Sequence, residues 1–340
     1  MSLPTETDWR DAVRALADAD EVCLLCHVSP DGDALGSMLG LGAALRAQGR
    51  KVWASFGAAN EGEAFAVPRT YSFLPALDLL VPPSDFPADP ALLVTFDTGS
   101  ADRLGSLADR LDTAAVSLVV DHHSTNTRYG TLNLVDTSAA ATTVVVAGLL
   151  DRLGWELTAE VAAPLYTGLI TDTGSFRYAA TTPAVHELAG RLLATGIRHD
   201  LISRAIWDTA SLGYVHLLGE VCARAELEPA AVGGLGLVWT MVRAHDLARH
   251  GVGMAEVEGV IDIVRLAAEA EVAVVLKEEP DSGILRVSSR SRGAVDLGAV
   301  CVSLGGGGHR FAAGFTSYDD VERTLARFRS ALEAAPHLPA

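Results

Sequence analysis

Three continuous apolar segments constrain the fold of this chain more than any other feature. They span Val22–Val28, Ala91–Asp97 and Val116–Asp121. Uninterrupted apolar runs of this length are typical of parallel strands that are covered on both faces. An amphipathic helix is predicted over Ala34–Gln48, between the first run and a further strand at Lys51–Phe56. This order of elements predicts a doubly wound α/β sheet in the N-terminal part of the chain.

Three more helices are predicted after this sheet, each followed by a glycine. They span Ser138–Leu153, Thr158–Ile170 and Pro183–Thr195. The length of 340 residues exceeds the size at which a single core usually stops growing, so two domains are expected. We place the first domain at residues 1–195, a helical linker at 196–228 and the second domain at 229–340.

The second domain is predicted to be a smaller α/β unit. Strands are expected at Gly236–Val242, Ala273–Leu276 and Ile284–Ser288, with the last two paired. Helices are expected at Met254–Ala268 and Asp319–Ala334. The chain as a whole is therefore predicted to form two α/β domains joined by helices.

Composition and charge exclude several classes of protein. Hydrophobic residues make up 49% of the chain and charged residues 20%, which supports a buried core throughout and excludes extensive disorder. The net charge of −17 repels polyanions, so binding of long duplex nucleic acid is not expected. The sequence shows neither an uninterrupted apolar run of about 18 residues nor a secretory signal. We therefore expect a cytoplasmic protein without a membrane partner.

Cysteine usage does not indicate a zinc or redox site. The closest pair, Cys23 and Cys26, lies inside an apolar run, and no second pair completes it. Because zinc sites commonly use two such pairs, we expect both side chains to be packed in a core.

Charged and histidine side chains cluster where the predicted strands end. Those that follow the three apolar runs are His27, Asp31, Asp33, Asp97, Asp121, His122 and His123. A further carboxylate, Asp172, follows the helix predicted over Thr158–Ile170. The carboxyl ends of parallel strands line one edge of an open sheet, where ligands bind. We therefore expect these residues, which are far apart in sequence, to converge.

Each of these residues has a simpler interpretation when it is taken alone. An aspartate after a strand commonly caps the next helix, which explains Asp33 or Asp97 equally well. His27 alone is more often a hydrogen-bonded histidine than a ligand. Adjacent residues in an extended strand point to opposite faces, so His122 and His123 are expected to have different roles.

Convergence favours a metal centre over these interpretations. Several carboxylates at one sheet edge repel one another and raise each other's pKa unless cations neutralise them. Imidazole together with carboxylates, and no thiolate, favours manganese or a similar divalent ion. Two divalent ions about 3.5–4 Å apart can clamp an anionic substrate and activate water. The sequence therefore predicts a phosphoryl-hydrolysis site with two Mn²⁺ or other divalent ions.

A second candidate site lies near the C-terminus, in the segment SLGGGGHRFAAGF. Its predicted substrate-binding residues are Gly306, Gly307, Gly308 and His309. Glycines let backbone amides approach an anion, and a helix after them would add favourable partial charge. A flexible turn explains a glycine run equally well.

The charge around this segment favours the phosphate interpretation. Between Arg286 and Arg310 there are four arginines against one acid, Asp296, in a chain that is strongly acidic overall. We expect Arg290 to bind substrate, with Arg292 as a weaker candidate.

In these motifs the chain resembles the DHH phosphoesterase superfamily, which includes RecJ-like exonucleases and manganese-dependent pyrophosphatases. The eight acidic and histidine residues named above occur in the family's order. The segment from Ser288 to Gly314 resembles the first type of DHH-associated domain. The likeness is closest to oligoribonucleases of the nanoRNase type, which also act on 3′-phosphoadenosine 5′-phosphate (pAp) and in some members on cyclic di-AMP.

The resemblance also implies a role for each residue of the first site. One manganese would be held by His27, Asp31 and Asp97. The other would be held by Asp33, Asp97, His122 and Asp172. His123 would face the substrate phosphate, and Asp121 would orient a neighbouring imidazole.

The predicted function is that of a manganese-dependent phosphodiesterase and phosphatase. It would convert very short RNA, pAp and dinucleotides such as pApA or cyclic di-AMP to mononucleotides, and a homodimer is compatible with the sequence. One alternative is a pyrophosphatase of the same superfamily, which the SLGGGGHRFAAGF segment disfavours. Another is a nucleotide-sensing protein without turnover, which the intact ligand set disfavours.

Overall fold

The computed structural model describes residues 3–58, 64–280, 282–336 and 338. The chain divides into two compact units, Met1–Thr209 and Ala210–Ala340. This boundary falls inside the segment that was expected to be a linker, and the limits of the domains stay a prediction. The predicted fold class, a parallel α/β sheet followed by a smaller α/β domain, is confirmed.

The first unit contains a five-stranded parallel sheet in the order β2-β1-β3-β4-β5. Its strands are β1 (Glu21–Cys26), β2 (Lys51–Phe56), β3 (Leu92–Phe96), β4 (Val116–Asp121) and β5 (Leu132–Val135). Its helices are α1 (Glu6–Asp18), α2 (Gly32–Ala47), α3 (Arg110–Thr113), α4 (Thr142–Leu153), α5 (Ala159–Asp172), α6 (Pro183–Ala194) and α7 (His199–Trp207). The chain passes from β1 to β2 on one side and then to β3 on the other, so the order reverses between β1 and β3. Such a reversal opens a crevice at the carboxyl ends of the two strands.

Helix α2 lies inside this unit, and its predicted amphipathic character is wrong. Its residues from Gly32 to Leu45 are buried on every side, as in a helix that packs against neighbours all round. Its glycines allow α5 to approach closely. A Cβ atom on Gly36 would lie 2.4 Å from the carbonyl oxygen of Pro164.

The second unit contains a six-stranded mixed sheet in the order β10-β11-β9-β8-β7-β6. Its strands are β6 (Glu226–Glu228), β7 (Leu237–Val242), β8 (Val272–Glu278), β9 (Leu285–Ser291), β10 (Gly307–His309) and β11 (Ala312–Ser317). Its helices are α8 (Leu212–Ala223), α9 (Ala231–Gly234), α10 (Ala244–His250), α11 (Val260–Val264), α12 (Leu297–Ser303) and α13 (Val321–Ala334). The predicted pairing of β8 with β9 is confirmed, with Val275 opposite Ser288.

Two predictions for this unit are wrong. The expected helix over Met254–Ala268 is a 3₁₀ turn, Met254–Val257, followed by the short α11. Gly259, a poor helix former, lies between them. The glycine segment continues into the β10–β11 hairpin and not into a helix, so no helix N-terminus adds partial charge there.

Two apolar cores form on opposite faces of the second sheet, one around α12 and α13 and the other around α8, α10 and α11. Cys23 and Cys26 of the first unit are buried, as expected for packed side chains. Among the described residues, no helix combines the length and the apolar character needed to cross a membrane.

Candidate metal centre

The carboxyl ends of β1, β3 and β4 bring the predicted acidic and histidine residues together. His27 follows β1, Asp97 follows β3 and Asp121 ends β4, and all three are buried. Ser29 and Asp97 have left-handed backbone conformations, with φ of 51° and 54°. Such conformations cost non-glycine residues roughly 1–3 kcal/mol and cluster at functional sites.

The first group of possible ligands consists of His27, Asp31 and Asp97, whose ligand atoms all lie within 4.8 Å of one another. The His27 Nε2 atom is 3.8 Å from Asp31 Oδ1 and 3.7 Å from Asp97 Oδ2. Its Nδ1 atom lies 2.8 Å from the carbonyl oxygen of Val28. Arg103 Nη2 lies farther from the same Nδ1 atom, at 3.3 Å. In the tautomer that donates from Nδ1 to the carbonyl, Nε2 carries the lone pair that a metal requires.

The second group consists of Asp33, His122 and Asp172, again with ligand atoms within 4.8 Å of one another. The His122 Nε2 atom lies 3.1 Å from Asp172 Oδ2 and 4.0 Å from Asp33 Oδ2. Its Nδ1 atom lies 3.1 Å from the carbonyl oxygen of Ala139. His122 is therefore oriented in the same way as His27, with a backbone carbonyl behind the ring.

Asp97 lies between the two groups. Its Oδ2 atom faces the His27 ring, and its Oδ1 atom is 3.6 Å from His122 Nε2. The hydroxyl of Thr142 donates to Asp97 Oδ1 over 2.9 Å and fixes the carboxylate. The structure thus brings all six predicted ligands to one site, and their division between two ions stays a prediction.

The site holds more carboxylate charge than its surroundings compensate. Burial, together with the nearby charge of Asp97, raises the pKa of Asp33 well above its usual range. Burial opposes the charged ring of His27, but the nearby carboxylates of Asp31 and Asp97 outweigh burial and raise its pKa to about 10. Buried carboxylates are stable beside one another when cations neutralise them. A donor set of imidazoles and carboxylates with this excess of negative charge fits divalent metal ions.

His123 and Asp121 form a separate pair at the same edge. The His123 Nδ1 atom lies 2.8 Å from Asp121 Oδ1, and the His123 ligand atom also lies within 4.8 Å of Asp97. We expected His122 and His123 to point to opposite faces because side chains alternate along a strand, and that reason does not apply here. Strand β4 ends at Asp121, so strand alternation no longer applies, and the two rings meet edge to face with centroids 4.8 Å apart.

Three residues that support the site were not predicted. The backbone amides of Thr142 and Thr143, at the start of α4, donate to Asp33 over 2.6 and 3.0 Å. Asn126 donates to Asp121 Oδ2 over 2.5 Å and holds that carboxylate in place. The sequence offered one indication of the role of the two threonines: they lie at the start of a predicted helix at the carboxyl edge of the sheet. Helix N-termini there stabilise anions.

Two of the predicted substrate-binding residues lie in one row of the second sheet. Arg290 of β9 is opposite Ala312 of β11, and Ala312 is opposite His309 of β10. Residues opposite each other share a face of the sheet, so Arg290 and His309 emerge on the same side. Arg292 lies beyond the end of β9 and is exposed.

The glycines of this segment have different environments. A Cβ atom on Gly306 would lie 2.1 Å from the carbonyl oxygen of Gly314, and Gly308 has φ of 136°. The hairpin itself therefore requires glycine at both positions. A Cβ atom on Gly307 would meet nothing within 4 Å among the described residues, so the backbone there is open to a ligand.

Comparison with known proteins identifies the family. Residues 21–169 match the DHH family, N-terminal domain, and residues 237–335 match the DHHA1 domain. The bifunctional oligoribonuclease and PAP phosphatase NrnA of Thermus thermophilus is 35% identical over 326 residues, which cover 93% of this chain and 92% of that protein. This chain belongs to the DHH family. The predicted family is thereby confirmed, and so is the prediction that the chain is a phosphoesterase enzyme.

Other relatives of this DHH-family chain span most of its length. The protein of the same name from Bacillus subtilis is 28% identical over 324 residues, covering 93% of this chain and 96% of that protein. The crystal structure of an exopolyphosphatase-related protein from Bacteroides fragilis superposes with a TM-score of 0.87 at 22% identity, covering 98% of each chain. At that identity, the second likeness supports the fold alone.

Proposed function

We propose that this chain hydrolyses very short RNA, pAp and linear or cyclic dinucleotides, including pApA and cyclic di-AMP, to mononucleotides with two Mn²⁺ ions. The observation that carries the proposal is the position of Asp97, whose two oxygens face two separate groups of histidine and carboxylate ligands. The activities for which the Thermus and Bacillus relatives are named support oligoribonucleotides and pAp as substrates. Cyclic di-AMP and manganese rest on the family resemblance.

In this proposal each group of ligands holds one ion. His27 and Asp31 would hold the first, His122, Asp33 and Asp172 would hold the second, and Asp97 would contact both. When bound, divalent ions neutralise phosphate charge and make water a nucleophile near neutral pH.

His123 has the geometry of a donor to the substrate. Its Nδ1 is bound to Asp121, which is fully buried and further held by Asn126. About a quarter of the His123 side chain, 24%, is exposed. A protonated ring held in this way can donate from Nε2 to a phosphoryl oxygen on which charge develops. Asp121 would orient that ring and favour its charged form, since its hydrogen bond contributes to the raised pKa of His123 against the effect of burial.

The second unit would recognise the nucleotide. Arg290 and His309 emerge from one face of its sheet and carry donors for a phosphate group. Gly306, Gly307, Gly308 and Arg292 remain weaker candidates for the same contact. We further infer a cytoplasmic protein that does not bind long duplex nucleic acid and that can form a homodimer.

A substrate panel tests the proposal. The purified full-length protein is assayed with manganese, with magnesium and after chelation, on pAp, pApA, cyclic di-AMP, a five-nucleotide RNA and pyrophosphate. We expect mononucleotide products from the nucleotide substrates and no turnover after chelation. Hydrolysis of pyrophosphate alone would indicate the pyrophosphatase alternative, and binding of nucleotides without turnover would indicate a sensing protein.

Variants of the second unit test the division of labour. A charge-assisted hydrogen bond to phosphate contributes about 1.5–3 kcal/mol, so Arg290→Ala and His309→Ala should each lower kcat/KM for pApA by about 10–150-fold. Both variants should keep most of their activity on bis-p-nitrophenyl phosphate, which needs only the metal centre. If Arg290→Ala abolishes hydrolysis of this minimal ester, Arg290 belongs to the catalytic machinery and the division is wrong.

A further inference from the structure

The sheet of the second unit has one face on which small and cationic side chains alternate. On β9 this face carries Arg286, Ser288 and Arg290, because these residues are opposite Lys277, Val275 and Ala273 of β8. The neighbouring strands contribute Ala312, Gly314 and Thr316 of β11 and Gly307 and His309 of β10. We refer to these eight residues of β9, β10 and β11 as the glycine face.

Arg290, the predicted phosphate ligand, is held at the border of the glycine face by α11. Its Nε atom lies 3.7 Å from Asp262 Oδ1, and its Nη1 donates to the carbonyl oxygen of Ser289 over 3.1 Å. Arg265 approaches the same Oδ1 atom of Asp262, at 3.6 Å. The guanidinium of Arg290 is therefore fixed on one side by a carboxylate and on the other by the backbone.

Asp262 retains the ability to bind a ligand. Both of its guanidinium contacts use Oδ1, and its side chain is 42% exposed. Among the described residues, none donates a hydrogen bond to Oδ2. One oxygen of Asp262 thus fixes Arg290 while the other can accept a hydrogen bond at the border of the glycine face.

A carboxylate in contact with a phosphate-binding arginine is unfavourable unless the ligand also offers it a hydrogen-bond donor. Phosphate and Asp262 are both anionic, and at a partly exposed site their repulsion is screened but not abolished. A nucleotide has donors close to its phosphate, the hydroxyl groups of the ribose. Acidic side chains bind ribose hydroxyls in this way in dinucleotide-binding folds.

We propose that Asp262 accepts a hydrogen bond from a ribose hydroxyl of the nucleotide whose phosphate Arg290 binds, and that it thereby selects ribonucleotides over deoxyribonucleotides. This inference rests on the proposed function for the identity of the ligand. A 2′-deoxy substrate lacks the donor but still meets the negative charge of Asp262. The same residue therefore favours RNA and disfavours DNA, since the 2′-hydroxyl is what distinguishes the two.

The test compares matched substrates with the full-length manganese-loaded protein. kcat/KM is measured for pApA and for its 2′-deoxy analogue with the wild type, Asp262→Asn and Asp262→Ala. The wild type should prefer the ribonucleotide by about 10–100-fold, the range for one hydrogen bond to a charged group. In Asp262→Asn that ratio should fall by about tenfold or more. The fall should come from a loss on pApA together with an unchanged or higher value on the deoxy substrate.

A matched control is available on the same face. Glu279 contacts the Nε atom of Arg286 over 2.5 Å, as Asp262 contacts that of Arg290. Glu279→Gln removes a carboxylate of the same kind at the other end of β9. Its ratio between the two substrates should equal that of the wild type.

Several outcomes overturn the inference. Equal losses on both substrates in Asp262→Asn would show that Asp262 only positions Arg290. If Asp262→Asn keeps the wild-type ratio of kcat/KM between pApA and its 2′-deoxy analogue, or if the wild type does not prefer pApA, Asp262 has no role in selecting ribonucleotides. Recovery of the wild-type ratio in Asp262→Ala would also contradict it, because alanine has no acceptor.

A binding measurement separates this inference from the proposed function. Kd is measured by calorimetry for adenosine 5′-monophosphate and its 2′-deoxy analogue, with the same variants. If the protein turns over no nucleotide but binds the ribonucleotide more tightly, and Asp262→Asn loses that preference, the proposed function fails while the role of Asp262 stands. Equal affinities, or no binding of either ligand, overturn the role of Asp262.

Discussion

Asp97 in the first unit and Asp246 in the second are both buried aspartates, but their neighbours differ. Asp97 lies near the candidate ligand Asp31 and interacts electrostatically with Asp33, and its partners include histidines. Asp246 accepts hydrogen bonds from Arg224 over 2.5 and 3.2 Å and from the amide of Arg243 over 3.0 Å. One carboxylate belongs to a cluster of like charges, and the other is fully paired.

The pKa of Asp97 itself is lowered by the histidines around it, despite burial, so the consequence of clustering appears at its neighbour Asp33. Burial raises the pKa of Asp33, and the negative charge of Asp97 raises it further. Burial also acts on Asp246, but the hydrogen bonds from Arg224 outweigh burial and its pKa is lowered. A buried acid with a cation of its own stabilises the fold, whereas buried acids that share a site need an additional cation. Strongly shifted groups of the second kind mark candidate functional sites.

Asp97→Asn should have the largest effect on activity. The substitution removes the charge shared by both groups of ligands, and a catalytic ion contributes several kcal/mol. We expect turnover of pApA to fall by more than about 10³-fold, since each 1.36 kcal/mol corresponds to a factor of ten. Elemental analysis after dialysis should show less metal per chain, while circular dichroism shows an unchanged fold. Two bound ions with near-normal turnover would contradict the assignment of Asp97.

The two adjacent histidines should separate metal binding from chemistry. His122 points its Nε2 at Asp172, whereas His123 is held by Asp121 through Nδ1. His122→Ala should therefore lose metal on dialysis. His123→Ala should keep its metal and turn over more slowly by about 10²–10³-fold, the loss expected for one donor to a developing charge. Equal metal loss in the two variants contradicts this division.

Asp246→Asn should affect stability and leave the metal centre intact. Breaking a buried ion pair commonly costs 3–5 kcal/mol, and because Arg224 is 25% exposed we expect about 2–3 kcal/mol. Urea unfolding measures the loss, and kcat of the folded variant at low temperature should stay within about twofold of the wild type. A variant that is stable but inactive would show that Asp246 serves catalysis.

The pH dependence of the same variant provides a second check. The folded pKa of Asp246 is lowered from 3.8, so its stabilising contribution is complete above the unfolded pKa and is lost as the pH falls through the folded pKa. The difference in free energy of unfolding between wild type and Asp246→Asn should therefore be constant near neutral pH and shrink below about pH 4. A difference that grows on acidification would contradict the sign.

The elements and ligands of the first unit were predictable because parallel strands obey simple rules. Strands β2 and β4 have the predicted bounds. Strand β4 is an apolar run that is buried from its second residue onward, whereas β2 is an edge strand that is buried only over its last three residues. The ligands converge because the carboxyl ends of parallel strands share one edge. Thr142 was not predictable, because its bond to Asp97 joins residues 45 positions apart and threonine at a helix start is common.

The second unit was harder to predict for two physical reasons. Glycine and histidine have low β propensity, so Gly307–His309 gave no strand signal, although pairing with β11 places them in the sheet. Lys277 lies in β8 as one of the largest fully buried side chains, and a charged residue argues against a buried position. In both cases the pairing of neighbouring strands in the folded sheet, and not the preference of the residue itself, determines the structure.

Substitution of Lys277 should change the free energy of unfolding least, and it tests whether a buried charge needs a buried partner. Its side chain is 2% exposed, and its Nζ contacts Glu258 Oε2 over 2.5 Å, but Glu258 is 63% exposed. Burial lowers the pKa of Lys277 despite this partner, so the charged amine is less favourable in the folded state than in the unfolded state. Lys277→Met keeps the length of the side chain and removes the charge. Its free energy of unfolding at pH 7 should be equal to that of the wild type or higher, by up to about 1 kcal/mol.

The pH range of the effect, and not its sign, distinguishes this pair from the pair of Asp246, because a lowered folded pKa makes stability rise with pH in both cases. A lysine with a lowered folded pKa releases its proton earlier in the folded state, so wild-type stability should rise relative to Lys277→Met as the pH approaches 10.5. Glu258→Gln should cost less than about 1 kcal/mol, because an exposed partner is screened by water. If Glu258→Gln instead destabilises the protein as much as Asp246→Asn does, exposure of one partner does not weaken a buried ion pair here. The difference between Asp246 and the clustered aspartates of the first unit would then depend only on how many cations each carboxylate has, and not on how exposed those cations are.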